Sequence, residues 1–175
     1  YAMEAVKRGA VAISVKGADC VILGAETKST AKLQKRRSVK KILKVDDHVA
    51  VVFAGLTADA RVLINRARLH CQSYRLTNED APPVQNVARE IAQIQQSYTV
   101  RGGRRPFGLA ALIAGYNVDG SVSLFRTTPS GTYEEWKANA VGRKEKMMRE
   151  FLEKHYADDM DRTASIKLVV KSLLE

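Results

Sequence analysis

Residues 109–114, Leu-Ala-Ala-Leu-Ile-Ala, contain no polar side chain and lie between a proline-fixed basic turn and a hairpin turn. A strand without a polar face must be covered on both sides, so this stretch excludes an open sheet with one wet surface. Just before it, Pro106 fixes its own backbone and pushes Arg105 towards an extended conformation, so Arg104-Arg-Pro-Phe-Gly108 predicts an ordered turn feeding the strand. Just after it, Asp119-Gly120 supplies the positive-φ chemistry of a hairpin, and Ser121-Val-Ser-Leu-Phe125 alternates away from the turn. Gly108, Ala110, Ala111, Ala114 and Gly115 are small, which requires neighbouring layers to approach closely. A sandwich covered by helices follows.

The rest of the chain fits that frame. Val11–Val15 and Cys20–Ala25 are apolar runs joined by Lys16-Gly-Ala-Asp19, a hairpin. Ile42–Val45 and Val49–Ala54 form a second pair turned by Asp46-Asp47. Thr57 is the expected N-cap of a helix with Asp59 in its first turn, and Ala60, Leu63, Ile64, Ala67, Cys71 and Tyr74 recur at helical spacing. Pro82-Pro83 opens another helix with Val84, Val87, Ala88, Ile91 and Ile94 on its apolar side. Strands over 108–115 and 121–126 follow, then Gly131 turns the chain into a strand over Thr132–Ala138. After Gly142 a helix carries Met147, Met148, Phe151 and Leu152, and a last helix carries Ile166, Val169, Val170, Leu173 and Leu174. The order of strands, two helices, strands and two helices predicts an α+β sandwich with helices outside two antiparallel sheets.

One domain is expected over 1–175, with 1–9 the end of a helix stopped by Gly9 and 10–175 the sandwich body. Tyr1–Gly9 lacks a start methionine and the last apolar stripe stops at Glu175, so the expectation is an internal portion of something longer. No apolar run is long enough to span a membrane as a helix. Cys20 and Cys71 have no metal-ligand spacing and are expected as reduced thiols.

A net charge of +10 raises the question of nucleic acid. Lys28, Lys32, Lys35, Arg36, Arg37, Lys40 and Lys41 concentrate that charge, but no aromatic residue interleaves with them to stack bases. A solvated loop or a surface facing another subunit is the plainer reading. His48, His70 and His155 have no Ser or Cys partner pattern, and Asp46-Asp47 and Asp158-Asp159 are ordinary turn residues rather than metal sites. Gly102-Gly103 is followed by neither a Lys-Ser/Thr pair nor a helix, so it is no phosphate loop. Trp136 and Tyr133 are expected to pack, or to serve an interface.

Several stretches carry a family resemblance: Tyr1–Gly9, Phe53-Ala-Gly-Leu-Thr-Ala-Asp-Ala-Arg-Val-Leu63, Arg104–Gly108, Pro129-Ser-Gly-Thr-Tyr133, Trp136-Lys-Ala-Asn-Ala-Val-Gly-Arg143 and Arg149-Glu-Phe-Leu-Glu-Lys154. In these the chain resembles the α-type subunits of the 20S proteasome, most closely their type-7 branch at ring position α4. The resemblance implies the four-layer αββα fold of the N-terminal-nucleophile hydrolases, two antiparallel sheets flanked by helices. It also implies contacts with neighbouring α subunits and the β ring, regulatory caps docked through C-terminal tails, and residence in cytoplasm and nucleus. Membrane and nucleic acid are not expected partners.

Catalytic relatives begin with a free Thr whose own amine serves as base. The matching position here is about Ala10, which has no nucleophile and is preceded by Tyr1–Gly9. Lys41 falls where the catalytic subunits keep a Lys and Glu26 where they keep an acid, while Thr27 and Thr30 lie within the chain without an amine of their own. A non-catalytic subunit without cofactor or metal is therefore expected; an active threonine peptidase subunit and a basic nucleic-acid-binding module are the alternatives. By the same resemblance Lys41, with Gly9 and Leu56, lines a pocket for the C-terminal carboxylate of an activator. Tyr1 matches a residue that supports the pore-gating tail.

Overall fold

A computed structural model describes residues 1–28 and 31–175. Among the described residues the elements in chain order are α1 (Ala2–Arg8), β1 (Ala12–Lys16), β2 (Val21–Ala25), β3 (Ile42–Asp46), β4 (Val49–Gly55), α2 (Thr57–Asn78), α3 (Val84–Val100), β5 (Leu109–Tyr116), β6 (Val122–Thr127), β7 (Tyr133–Glu135), β8 (Ala138–Val141), α4 (Glu145–His155) and α5 (Arg162–Leu174). The strands form two antiparallel sheets, β2-β1-β8 and β3-β4-β5-β6-β7.

The apolar stretch at 109–114 organises the stack. Leu109, Ala111 and Ile113 of β5 join the core under α2 and α3, with Phe53, Leu63, Val87 and Ile91. The alternate residues Ala110, Leu112 and Ala114, with Val52, Ala54 and Leu124 of the same sheet, face the other sheet, where Ala12 and Val141 meet them. A third core, with Ile13, Ala140, Met148, Leu152, Leu168 and Val169, packs the smaller sheet against α4 and α5. The layers therefore run helix, sheet, sheet, helix, as the alternation demands. Alanines on both inner faces let the sheets approach closely.

Three local expectations are corrected. Thr57 is the first helical residue and makes no capping bond; Leu56 occupies the cap position with no side-chain acceptor. The acceptor at this helix start is Asp59, which reaches outside its own helix. The single strand over 132–138 is two: β7 pairs with β6, then the chain crosses between sheets at Trp136-Lys137 and β8 pairs with β1. Trp136 N–H donates to Leu124 O at 2.9 Å and Lys137 O accepts from Lys16 N–H at 2.8 Å, so the crossing residues bond one sheet each. The face α5 buries is Ser165, Leu168, Val169 and Ser172, whereas Ile166, Val170 and Leu174 are exposed. Small serines match the close approach: a side chain on Gly17 would meet Ser165 Oγ at 2.7 Å, and one on Gly24 would meet Val169 Cγ1 at 2.6 Å.

Helix α1 ends at Gly9 as expected, but for a different reason. Its backbone there is extended, with φ −65°. The constraint is proximity, because a Cβ on Gly9 would lie 2.5 Å from the Gly55 backbone nitrogen.

Candidate functional site

The junction of α1 and β1 gathers the residues aligned with the catalytic pattern. Lys41, at the end of the long loop between β2 and β3, donates from Nζ to the Ala10 carbonyl at 2.5 Å. Burial pulls its pKa down to about 8, against the opposing pull of the Glu26 carboxylate. Glu26, just past β2, also faces Arg143 at 3.6 Å and Lys28 at 3.6 Å. The Gly9 carbonyl accepts from Arg143 N–H at 2.9 Å. Ala10, Lys41 and Glu26 thus come together at this junction. Nevertheless Ala10 offers only a methyl group, and its nitrogen is an amide bonded to Gly9, so neither nucleophile nor amine base stands there. Thr27 is exposed on the adjoining loop, and Thr30 lies outside the described residues.

Gly9 and Leu56 share a second feature on the other side of the α1 terminus. Tyr1, Glu4, Ala5, Arg8, Gly9, Gly55 and Leu56 line an open groove of about 530 Å³. Leu56 is 43% exposed there and provides an apolar wall. Tyr1 stands fully exposed at the lip. Lys41 does not line this groove; its ammonium sits one residue beyond Gly9, on the Ala10 carbonyl.

The basic turn before β5 borders a separate pocket, which Arg105, Pro106 and Gly108 line with Tyr1, Ala5 and Leu56. Arg105 donates through Nη1 and Nη2 to the two carboxylate oxygens of Asp59, each at 2.7 Å, and Gly108 N–H donates to the same carboxylate at 2.9 Å. The Arg105 bonds hold the Asp59 carboxyl below the usual carboxylate range, helped by Gly108 and opposed by partial burial. Phe107 is buried against Tyr98, with ring centroids 4.4 Å apart, and Arg104 covers the same ring. Asp59 is the residue that sequence reasoning undervalued. Its separation from Arg105 in the chain conceals the pair, although an acid beside a helix start and an arginine fixed by proline were both visible.

Elsewhere the turn residues do structural work. Asp46 binds Arg75 at 2.8 Å, and His48 Nε2 lies 2.7 Å from the Pro82 carbonyl. Asp158 pairs with Lys137 at 2.8 Å. His155 lies beside the Phe151 carbonyl at 2.9 Å and stacks on that ring. Trp136 carries Arg149 over its ring at 5.9 Å and donates to Glu134, and Tyr133 packs beside the helix-covered core. Both cysteines are free and buried, and burial pushes the Cys71 thiol up to about 11, which keeps it unreactive. No helix among the described residues is long and apolar enough to cross a membrane.

Comparison with known proteins gives this arrangement its context. The family model described as proteasome subunit matches residues 6–175. Proteasome subunit alpha type-7 of Dictyostelium discoideum is 56% identical over 175 residues, covering 100% of this chain and 70% of its own length. Proteasome subunit alpha type-8 of Mus musculus is 56% identical over 178 residues, covering 100% of this chain and 71% of its own. Proteasome subunit alpha type-7-1 of Drosophila melanogaster is 51% identical over 177 residues, with 100% and 71% covered. With two antiparallel sheets between helix layers, and with α-type 7 and 8 relatives along its whole length, the chain belongs to the proteasome subunit family and resembles its α-type members.

Proposed function

We propose that this chain is a non-catalytic structural and gating subunit of the α ring of the 20S proteasome core, built as one α-type domain over residues 1–175. The observation that carries the reading is Ala10. The position aligned with the nucleophile holds a methyl side chain and an ordinary peptide nitrogen, while the Lys41 ammonium that would serve such a nucleophile is bonded to the Ala10 carbonyl. Its work in this reading is to restrict substrate entry, to contact neighbouring α subunits and the β ring, and to dock regulatory caps, in cytoplasm and nucleus. Peptide bonds would be cut elsewhere in the particle.

The test is assembly together with activity. The full-length protein purified gently from its source is expected in a large multi-subunit particle by native mass spectrometry. An Ala10→Gly variant of it is expected to leave the peptidase activity of that particle unchanged. A free monomer, or peptidase activity that falls with this substitution, would sink the proposal.

In the same reading, Lys41, Gly9 and Leu56 form the pocket for an activator's C-terminal carboxylate, and Tyr1 supports the gating tail. The groove between Gly9 and Leu56 supplies room and an apolar wall, and a partly buried ammonium nearby suits a charge-assisted bond. Only the protonated amine makes that bond. Binding of a carboxyl-terminated activator peptide to the assembled particle is therefore expected to weaken as pH rises through about 8, the value to which burial lowers Lys41. Lys41→Ala should abolish both the binding and its pH dependence, and the peptide amide should bind no better than this variant. Peptide binding that stays flat from neutral pH to well above the Lys41 value counts against the pocket.

A further inference from the structure

Ser38 stands on the exposed loop between β2 and β3, at the last position of a short 3-10 turn, Arg36–Ser38. Residues 31–40 are all exposed. Ser38 Oγ donates to the Lys35 carbonyl at 2.6 Å, and its backbone N–H donates to the same carbonyl at 2.9 Å. The hydrogen bonds described for residues 32–40 stay within the loop, so extending this segment breaks a local turn and no tertiary bond.

The charge around this hydroxyl is one-sided. Lys35, Arg36 and Arg37 immediately precede it, Lys40 and Lys41 follow after Val39, and no Asp or Glu occurs from Thr27 to Val45. Val39 is 44% exposed and presents an apolar side chain directly after the serine. Several other described hydroxyls lack this combination. Ser14, Thr127, Ser165 and Ser172 are fully buried, while Ser121 and Ser130 are exposed in turns without basic residues ahead of them.

We propose that Ser38 is a phosphoacceptor for a serine kinase whose substrate groove is acidic. Such a groove selects cations amino-terminal to the acceptor by pairing them with carboxylates, and an acid at those places would be repelled. With Val39 following, a proline-directed kinase is excluded, and the flanking cations exclude an acid-directed one. In the transfer, Ser38 Oγ attacks the γ-phosphorus of ATP and the bond from that phosphorus to the β,γ-bridging oxygen breaks. ADP leaves, and the hydroxyl proton passes to a carboxylate of the kinase. The product places roughly −1.5 to −2 charges among Lys35, Arg36, Arg37 and Lys40 and removes the Oγ–H that held the turn. The loop then changes from an unopposed basic patch to one with its cations gathered on a phosphate.

The test uses the full-length protein as purified from its source, treated first with a phosphatase. It is then incubated with ATP and either cyclic-AMP-dependent protein kinase, which prefers basic substrates, or an acid-directed casein kinase. Digestion with a protease that spares lysine and arginine keeps the loop in one peptide for mass spectrometry. The first kinase is expected to place one phosphate on Ser38 and the second none. Ser38→Ala should remove phosphate from the loop, and the exposed double variant Arg36→Ala with Arg37→Ala should slow transfer about tenfold or more, each lost exposed pair contributing a few-fold. Phosphate on Ser29 or Thr30 with Ser38 bare overturns the proposal. So does a double variant phosphorylated at the wild-type rate, or equal transfer by the acid-directed kinase.

Discussion

Replacing Gly55 by alanine is expected to destabilise the protein by about 3–5 kcal/mol, a large part of the 5–15 kcal/mol typical of a folded domain. Two independent costs meet at this residue. Its φ is +126°, a conformation that a residue with a Cβ adopts only under strain. A Cβ there would also fall onto the Gly108 carbonyl oxygen and come within 2.8 Å of Leu109 Cα. Neither neighbour is able to yield cheaply, because both belong to backbone. Gly55 is paired with Leu109 at the end of the central β4–β5 ladder, and the next residue, Leu56, donates its N–H to Gly108 O at 2.9 Å. Gly9 packs against the other side of the same peptide, so the damage should spread to the α1 groove. Gly103→Ala is the control, since φ is +79° but open space surrounds the site. Strain alone should cost about 1 kcal/mol there. Urea denaturation of both variants separates the contributions, and similar midpoints would show that the close approach to Gly108 is not what demands glycine.

Asp59→Ala is expected to cost about 2–3 kcal/mol. The carboxylate satisfies the buried Gly108 N–H and both amino groups of Arg105. Removing it leaves a buried donor without a partner and an arginine without its counter-charge. Because Arg105 is 65% exposed, water screens part of the ion pair, and the figure falls below that for a fully buried pair. The effect also carries a pH signature. Arg105 and Gly108 depress the folded-state pKa of Asp59 below its ordinary value of about 4. The folded state therefore holds this carboxyl ionised when the unfolded chain has begun to protonate it. Its contribution is fully present above about pH 4 and is lost as pH falls through the lower folded value. Denaturation of wild type and variant across that range should show the gap closing in acid. A gap that stays constant down to the lowest accessible pH would mean that Asp59 acts through packing rather than charge.

Much of the architecture was legible because it is written in local periods. The unbroken apolar run of β5, the two hairpins, the proline-opened α3 and the apolar spacing of α2 all depend on residues near one another in the chain. The family stretches were legible for a similar reason, as contiguous runs. The split of residues 132–138 into β7 and β8 was hidden, since nothing local tells a strand that its two ends bond to different sheets. The buried face of α5 was misjudged because hydrophobicity pointed to Ile166 and Val170, while the close approach to Gly17 and Gly24 selected a face that carries Ser165 and Val169.

Sequence by itself thus determined that helices cover two antiparallel sheets and that position 10 carries only a methyl group: the first follows from apolar patterning, and the second from the identity of one residue. Only the tertiary structure decided that Lys41 bonds the Ala10 carbonyl, that Asp59 clamps the Arg105 turn, and that Gly9, Gly55 and Gly108 lie against one another. Those contacts join residues far apart in the chain. Their physical content is distance in the folded state, between groups whose positions are fixed by separate strands and helices.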